Sequence, residues 1–287
     1  MWLSDAWKEY EVVDTSDGDK LEKWGRYTLV RPDPQVIWKS DKKNPLWNKA
    51  DAIYTRSRSG GGAWSKNSLP AEWTVKYRDL VFRIRPMGFK HTGIFPEQAT
   101  NWDWMRNLIE KSGREIRVLN LFAYTGAATV ACAAACASVC HVDAAKGMVE
   151  AAKENVRLNG LADAPVRYIV DDCKKFVERE IRRGKKYDAI IMDPPSYGRG
   201  PTGEVWKIEE NIDDFVALVS NLLSDTPLFF LLNSYTTGLS ASTMKYITEL
   251  RIGKGRDIRC EADELGLPVK DSGFALPCGS SVRCTFI

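Results

Sequence analysis

From residue 117 onward, short apolar runs alternate with longer segments that carry an apolar stripe at helical spacing. Residues 117–122, 138–142, 166–170 and 187–192 are largely apolar throughout, the pattern of strands covered on both faces. Further strands are predicted near 227–233, 256–261 and 281–287, and helices over 97–111, 127–138, 145–158, 173–183, 211–224 and 240–251. Strand and helix in alternation predict a parallel, doubly wound α/β sheet with right-handed crossovers. Residues 1–88 follow another rule. Short alternating segments at 24–30, 73–77 and 80–85 are separated by the turn signals Arg31-Pro32-Asp33-Pro34 and Ser59-Gly60-Gly61-Gly62. The expected organisation is a small β-rich domain over 1–88 and an α/β domain over 89–287.

The polar residues that end the predicted strands are more informative than the strands. The run 187–192 stops at Asp193-Pro194-Pro195-Ser196-Tyr197, because proline has no N–H for a ladder. An acid, a rigid carbonyl and a Ser-Tyr pair are thereby held at the edge where α/β sheets bind ligands, so Asp193, Pro194, Ser196 and Tyr197 are the candidate catalytic residues. The strand 117–122 runs through Phe122-Ala123-Tyr124-Thr125-Gly126 into an Ala-rich helix, so backbone N–H groups and the positive helix end point at a ligand. Asp143 ends the next strand, 17 residues after Gly126, where a carboxylate can hold two ribose hydroxyls. The third strand ends in Asp171-Asp172-Cys173, placing a carboxylate for an adenine amino group and the Cys173 N–H for a ring nitrogen. These pieces make an adenosine site. The turn has one glycine and lacks the G-x-G-x-x-G that admits a pyrophosphate, and the chain has no G-x-x-x-x-G-K-[ST]. An adenosine cofactor without phosphates remains, S-adenosylmethionine.

With these motifs, residues 90–287 resemble a class I S-adenosylmethionine-dependent methyltransferase, and within it the bacterial large-subunit ribosomal RNA methyltransferase group. The resemblance rests on Asn120-Leu121-Phe122-Ala123-Tyr124-Thr125-Gly126, Val142-Asp143, the segment from Glu154 to Leu161, Asp172 and Asp193-Pro194-Pro195. Gly93-Ile94-Phe95-Pro96-Glu97-Gln98 is similar to a Gly-aromatic-x-x-Asp-Gln-Arg segment that precedes the fold in that group, with Glu97 for the Asp and Ala99 for the Arg. The resemblance implies a Rossmann-like seven-stranded sheet with its last strand antiparallel. It also implies cofactor contacts from Phe95, Gln98, Asn120, Phe122, Ala123, Tyr124, Thr125, Gly126, Asp143, Ala144, Asp172, Cys173 and Asp193. In amino-methylating relatives an aromatic residue directly follows Pro-Pro, whereas here Ser196 intervenes before Tyr197. Relatives that methylate carbon 5 of a pyrimidine add a cysteine thiolate to the ring first. The positions that carry that cysteine read Ser196 and Asn233-Ser234-Tyr235-Thr236 here, so N-methylation is expected over C5-methylation. Cys278 or Cys284 approaching the site would change this reading.

Composition refines the partner. Net charge is +3, but residues 1–90 carry 17 Lys+Arg against 12 Asp+Glu, so the basic excess lies outside the catalytic part. Nine of ten tryptophans precede residue 105. Interleaved with Lys39, Lys42, Lys43, Arg56, Arg58 and Lys66, they offer a stacking and phosphate-binding face for RNA, or the core of a small domain with a solvated basic rim. RNA is the expected partner, with no membrane and no metal. Seven cysteines without a Cys-x-x-Cys pair, and charged Asp5, Lys8 and Glu9 in place of a leader, point to a reducing, cytoplasmic setting. Cys132, Cys136 and Cys140 read as packing residues. The glycine-rich segment 198–207 suggests a loop beside the site in which Trp206 and Lys207 either cap a base or belong to an ordered surface. His141, Asn155 and Asn159 read as structural. The expected activity is methyl transfer to an RNA base, most simply in ribosomal RNA. Alternatives are a protein or small-molecule methyltransferase, or an RNA-binding protein with a vestigial cofactor site.

Overall fold

The computed structural model describes residues 1–57, 61–65, 68–88, 90–199 and 205–287. Arg58 and Lys66 of the expected basic face, and the glycine-rich stretch 200–204, lie outside the described residues. The chain forms two compact units, Met1–Thr100 with Leu265–Cys278, and Asn101–Glu264 with Gly279–Ile287. Residues 90–100 and the segment Leu265–Cys278 pack with the β-rich part.

In the first unit the strands are β1 (Trp2–Leu3), β2 (Tyr10–Ser16), β3 (Asp19–Trp24) and β4 (Tyr27–Pro32). The short helix α1 (Leu46–Lys49) precedes β5 (Ala52–Arg56), β6 (Gly62–Ser65), β7 (Trp73–Tyr77) and β8 (Leu80–Ile84). Strands β2 to β6 form one sheet and β7–β8 a separate hairpin. The expected single strand over 24–30 is two, because Gly25 takes a left-handed φ of 63° and the chain reverses so that Trp24 pairs with Tyr27. Trp24 is fully buried, its ring edge 4.5 Å from Tyr10. Beside it Glu22, also buried, accepts two hydrogen bonds from the Arg31 guanidinium (2.6 and 2.9 Å) and one from the Tyr10 hydroxyl (2.7 Å). Of the tryptophans expected to stack on RNA, Trp24 and Trp47 are core, whereas Trp38 is partly exposed and donates to Thr15 (3.0 Å). Lys39, Lys42, Lys43 and Arg56 are exposed.

The second unit holds α2 (Ala99–Lys111), β9 (Arg117–Leu121), α3 (Ala127–Ala134), β10 (Ser138–Asp143), α4 (Lys146–Leu158), β11 (Val166–Val170) and α5 (Cys173–Arg182). It continues with β12 (Ala189–Met192), β13 (Tyr197–Arg199), β14 (Val205–Lys207), α6 (Ile208–Ser220), β15 (Phe229–Ser234) and α7 (Ala241–Ile252). The long strands β16 (Ile258–Pro268) and β17 (Ala275–Phe286) each have one end in each unit. The sheet order is β1-β16-β17-β15-β12-β9-β10-β11, so the short β1 adds an eighth strand to the seven expected. The five strands from β15 to β11 are parallel, and β17 runs antiparallel to β15. This is a Rossmann-like sheet. All four residues of β12 are buried, as its central place requires. Phe176 of α5, Phe215 of α6 and Met244 of α7 join Met192 and Leu232 in one apolar core. The extra hairpin β13–β14 breaks the strict alternation of strand and helix. No helix among the described residues is long and apolar enough to cross a membrane. Cys260 and Cys284 are bonded to each other across β16 and β17, a pairing the reading of seven reduced cysteines did not include.

Candidate active site

The parallel strands β9, β10, β11 and β12 all end on one edge, and the candidate polar residues follow them directly. After β9 the backbone alternates in hand. Phe122, Tyr124 and Gly126 have φ of 55°, 50° and 79°, while Ala123 and Thr125 do not have positive φ. Such alternation turns successive N–H groups toward one side. Most of these donors are nevertheless taken by β10, α5 and the loop itself. Phe122 N–H reaches the Cys173 thiol (3.3 Å), Ala123 N–H the Val142 carbonyl (3.1 Å), Tyr124 N–H the Asp143 carboxylate (2.9 Å) and Gly126 N–H the Ala123 carbonyl (3.0 Å). The cradle of N–H groups aimed at a ligand is therefore corrected to a loop tied to its own strands. A loop so satisfied suits a cofactor without phosphates.

Gly126 has a packing reason besides its φ. A Cβ there would lie 2.7 Å from the Ala152 Cβ on α4. Asn155, one turn further along α4, donates to the Thr125 carbonyl (2.9 Å) and anchors the loop. Asn155 was legible as structural, but its long-range partner was not.

Asp143 accepts from Tyr124 N–H on one oxygen and Ala145 N–H (2.8 Å) on the other, with Ala144 exposed between them. Burial pushes its carboxyl above the ordinary value, against the opposing pull of those two N–H groups. Each oxygen keeps a lone pair, enough for two vicinal hydroxyls. Asp172 caps α5 by accepting the Lys175 N–H (2.9 Å), and Cys173 supplies a first-turn N–H that the helix itself does not use. The Cys173 thiol is buried and pushed far up by burial. Asp171 pairs with Arg179. Asn120 points the other way. Its amide donates to Thr129 (3.0 Å), whose hydroxyl meets His141 Nδ1 (2.9 Å), in a buried network.

Asp193 follows β12, its N–H toward the Leu121 carbonyl (3.4 Å). The next residues are clamped. The Pro195 carbonyl accepts the Trp206 indole N–H (2.7 Å), and the Ser196 carbonyl the Ile208 N–H (3.1 Å). No described residue donates to the buried Pro194 carbonyl. Tyr197, 51% exposed, pairs with Lys207 across the β13–β14 hairpin. Trp206 packs against Phe122 and Phe215, and Lys207 pairs with Glu210 (2.7 Å), so these two belong to the ordered surface and not to a base cap. Phe95 and Gln98 lie in the first unit, on either side of the turn Pro96–Gln98, with Phe95 edge-on to His91 and Gln98 buried. Among the described residues no cluster of His, Cys, Asp or Glu is placed to hold a metal.

Residues 52–214, more than half of the chain, match the S-adenosylmethionine-dependent methyltransferase family. The chain belongs to this family. Ribosomal RNA large subunit methyltransferase I of Salmonella arizonae is 30% identical over 193 residues, 66% of this chain and 46% of that protein. Ribosomal RNA large subunit methyltransferase K/L of Shewanella frigidimarina is 32% identical over 145 residues, 50% of this chain and 20% of that protein. The chain thus spans less than half the length of these curated relatives. A solved S-adenosylmethionine-dependent methyltransferase from Agrobacterium tumefaciens is 36% identical with a TM-score of 0.93, covering 99% of this chain and 92% of that one. SMU.776, solved with S-adenosylhomocysteine, shares the fold at 20% identity and a TM-score of 0.77, covering 98% of this chain and 76% of that one. The family's methyl donor is S-adenosylmethionine.

Proposed function

We propose that this methyltransferase transfers a methyl group to an amino nitrogen of an RNA base, in large-subunit ribosomal RNA. The observation that carries the reading is the pair of acceptors at the end of β12. The Pro195 and Ser196 carbonyls are occupied by Trp206 and Ile208, while the Pro194 carbonyl has no donor among the described residues and follows the Asp193 carboxyl directly. Two neighbouring acceptors suit the two N–H bonds of an exocyclic amine, and holding both leaves the nitrogen lone pair directed outward. When bound, S-adenosylmethionine supplies an electrophilic methyl group. Asp143, Asp172 and the Cys173 N–H would hold its adenosine, together with the loop from Phe122 to Gly126. Ala144 is assigned to the same cofactor by resemblance. Tyr197, half exposed beside the acceptors, is available to stack on the base.

Nitrogen is favoured over pyrimidine carbon 5 by the thiols. Cys284 is bonded to Cys260, the Cys278 thiol donates to the Leu276 carbonyl (3.3 Å), and burial holds both the Cys278 and the Cys173 thiols well above the ordinary range for a cysteine. The ribosomal RNA target is supported by the two curated relatives and by exposed Lys39, Lys42, Lys43 and Arg56 of the first unit. The β-rich unit is proposed as the RNA-binding part, and a cytoplasmic setting follows from that substrate.

The test is transfer of tritiated methyl from S-adenosylmethionine to unmodified large-subunit RNA, to a protein extract and to a small-metabolite fraction. Label in RNA, weakening steeply with salt, is expected. Label confined to protein or small molecules would overturn the RNA reading.

A further inference from the structure

Two loops of the second unit that are forty residues apart in sequence meet at a pair of hydroxyls. The Thr236 hydroxyl donates to the Ser196 hydroxyl at 2.6 Å. Ser196 is the residue after Asp193-Pro194-Pro195. Thr236 is the second residue beyond β15, and its own N–H donates to the Ser234 hydroxyl (3.1 Å), which fixes the turn. The end of β15 is in turn held from below by a buried polar network. Asn101 donates to Ser281 (2.9 Å) and to Asn233 (3.2 Å), Ser281 donates to Asn233 (2.6 Å), and Arg283 donates to Asn101 (2.8 Å). Asn101, Asn233, Ser234 and Ser281 are all buried. A fully connected buried network defines one geometry. On the other side Gly279, with φ of 150°, lets the Tyr235 ring approach. A Cβ there would sit 2.9 Å from both Tyr235 Cδ1 and the Ser234 carbonyl.

We infer that Thr236 is a positioning residue for the methyl-accepting loop, transmitting the rigid end of β15 to Ser196 and through it to the Asp193 and Pro194 acceptors. This rests on the reading of that loop as the acceptor site. Three ties restrain the residues after Pro194. Trp206 holds Pro195, Ile208 holds the Ser196 backbone, and Thr236 holds the Ser196 side chain. The first two come from the chain segment that directly follows the loop, so they move with the hairpin. Thr236 ties this stretch to β15, a central strand of the sheet. Because Thr236 donates, the Ser196 hydroxyl keeps its own proton to give to the substrate. Thr236 is partly exposed, so its loss leaves the core intact.

The experiment compares Thr236→Val, Thr236→Ser, Ser196→Ala and the Thr236→Val/Ser196→Ala double variant in the full chain, with large-subunit RNA as acceptor. Expected are a roughly tenfold lower kcat for Thr236→Val with unchanged KM for S-adenosylmethionine, recovery in Thr236→Ser, and a double variant no worse than the poorer single one. A second readout needs no turnover. The Trp206 indole N–H resonance, which reports on Pro195, should shift in Thr236→Val and return in Thr236→Ser. Full kcat and an unmoved Trp206 resonance in Thr236→Val would overturn the inference. A wild type that labels no RNA while the resonance shifts as expected would instead overturn the substrate reading and leave the positioning intact.

Discussion

The backbone N–H of Tyr124 donates to the carboxylate of Asp143 across 2.9 Å, joining the loop after the first strand of the second unit to the end of its neighbour. This bond makes Asp143 both a cofactor ligand in the proposed site and the support of the loop that would flank the cofactor.

Asp143→Ala removes the acceptor of two N–H groups as well as the proposed ribose contact. The part-buried Tyr124 N–H left without a partner costs about 1–3 kcal/mol, whereas the exposed Ala145 N–H turns to water. The expected outcome is a loss of S-adenosylmethionine affinity of about 100-fold or more by calorimetric titration. Unchanged affinity would remove Asp143 from the site.

Gly126→Ala places a Cβ 2.7 Å from Ala152 and forces alanine into a left-handed φ of 79°. A destabilisation of about 2–4 kcal/mol is expected from the two effects together, read as a lower urea midpoint. Adding Ala152→Gly should return only the packing part. Full recovery in the double variant would show that φ carries no penalty.

Most of the second unit's fold is visible in the sequence. The strand 187–192 is apolar on both sides and buried throughout its core residues, so it is recognisable without partners. By contrast 166–170, also largely apolar in sequence, is the sheet's edge strand and has no buried residue. The prolines after Asp193 mark where a ladder must stop. The direction of Asn120 is not visible, because nothing local distinguishes an amide that faces a ligand from one that faces Thr129. The use of the loop N–H groups by Cys173, Val142 and Asp143 is likewise a tertiary matter. The first unit is less legible. Its strand 24–30 hides a reversal at Gly25, and its return segment Leu265–Cys278 comes from far along the chain. Ser196 is legible as a candidate, but its tie to Thr236 is not.

His141 is wholly buried, and burial lowers its pKa from 6.5 to about 4. The Thr129 hydroxyl, which accepts from the Asn120 amide, meets His141 Nδ1 (2.9 Å). In the unfolded chain the ring takes up a proton near pH 6.5, while the folded ring resists until about pH 4. The stability present above pH 6.5 is therefore lost as pH falls from 6.5 to about 4, by up to about 3 kcal/mol. Urea midpoints across that window should fall more steeply for the wild type than for His141→Gln. Equal slopes would contradict the assignment. His91, lowered to about 4 mainly by burial in the first unit, acts with the same sign.

Glu22 and Arg31 form a buried pair in the first unit, and Glu22→Gln leaves the guanidinium without its counter-charge. A loss of about 3–5 kcal/mol is expected in urea unfolding, with part returned by Glu22→Gln/Arg31→Met, because two well-packed neutral groups are less costly than one stranded charge. A single variant as stable as the wild type would show the pair to be dispensable.

The most direct measurement of the central claim is the identity of the methylated nucleoside. Large-subunit RNA treated with the enzyme and labelled S-adenosylmethionine is digested to nucleosides and resolved by mass spectrometry. The account predicts a base methylated on an exocyclic amino nitrogen, absent when Asp193→Ala is used. A 5-methylpyrimidine, or a label that survives Asp193→Ala undiminished, would contradict it.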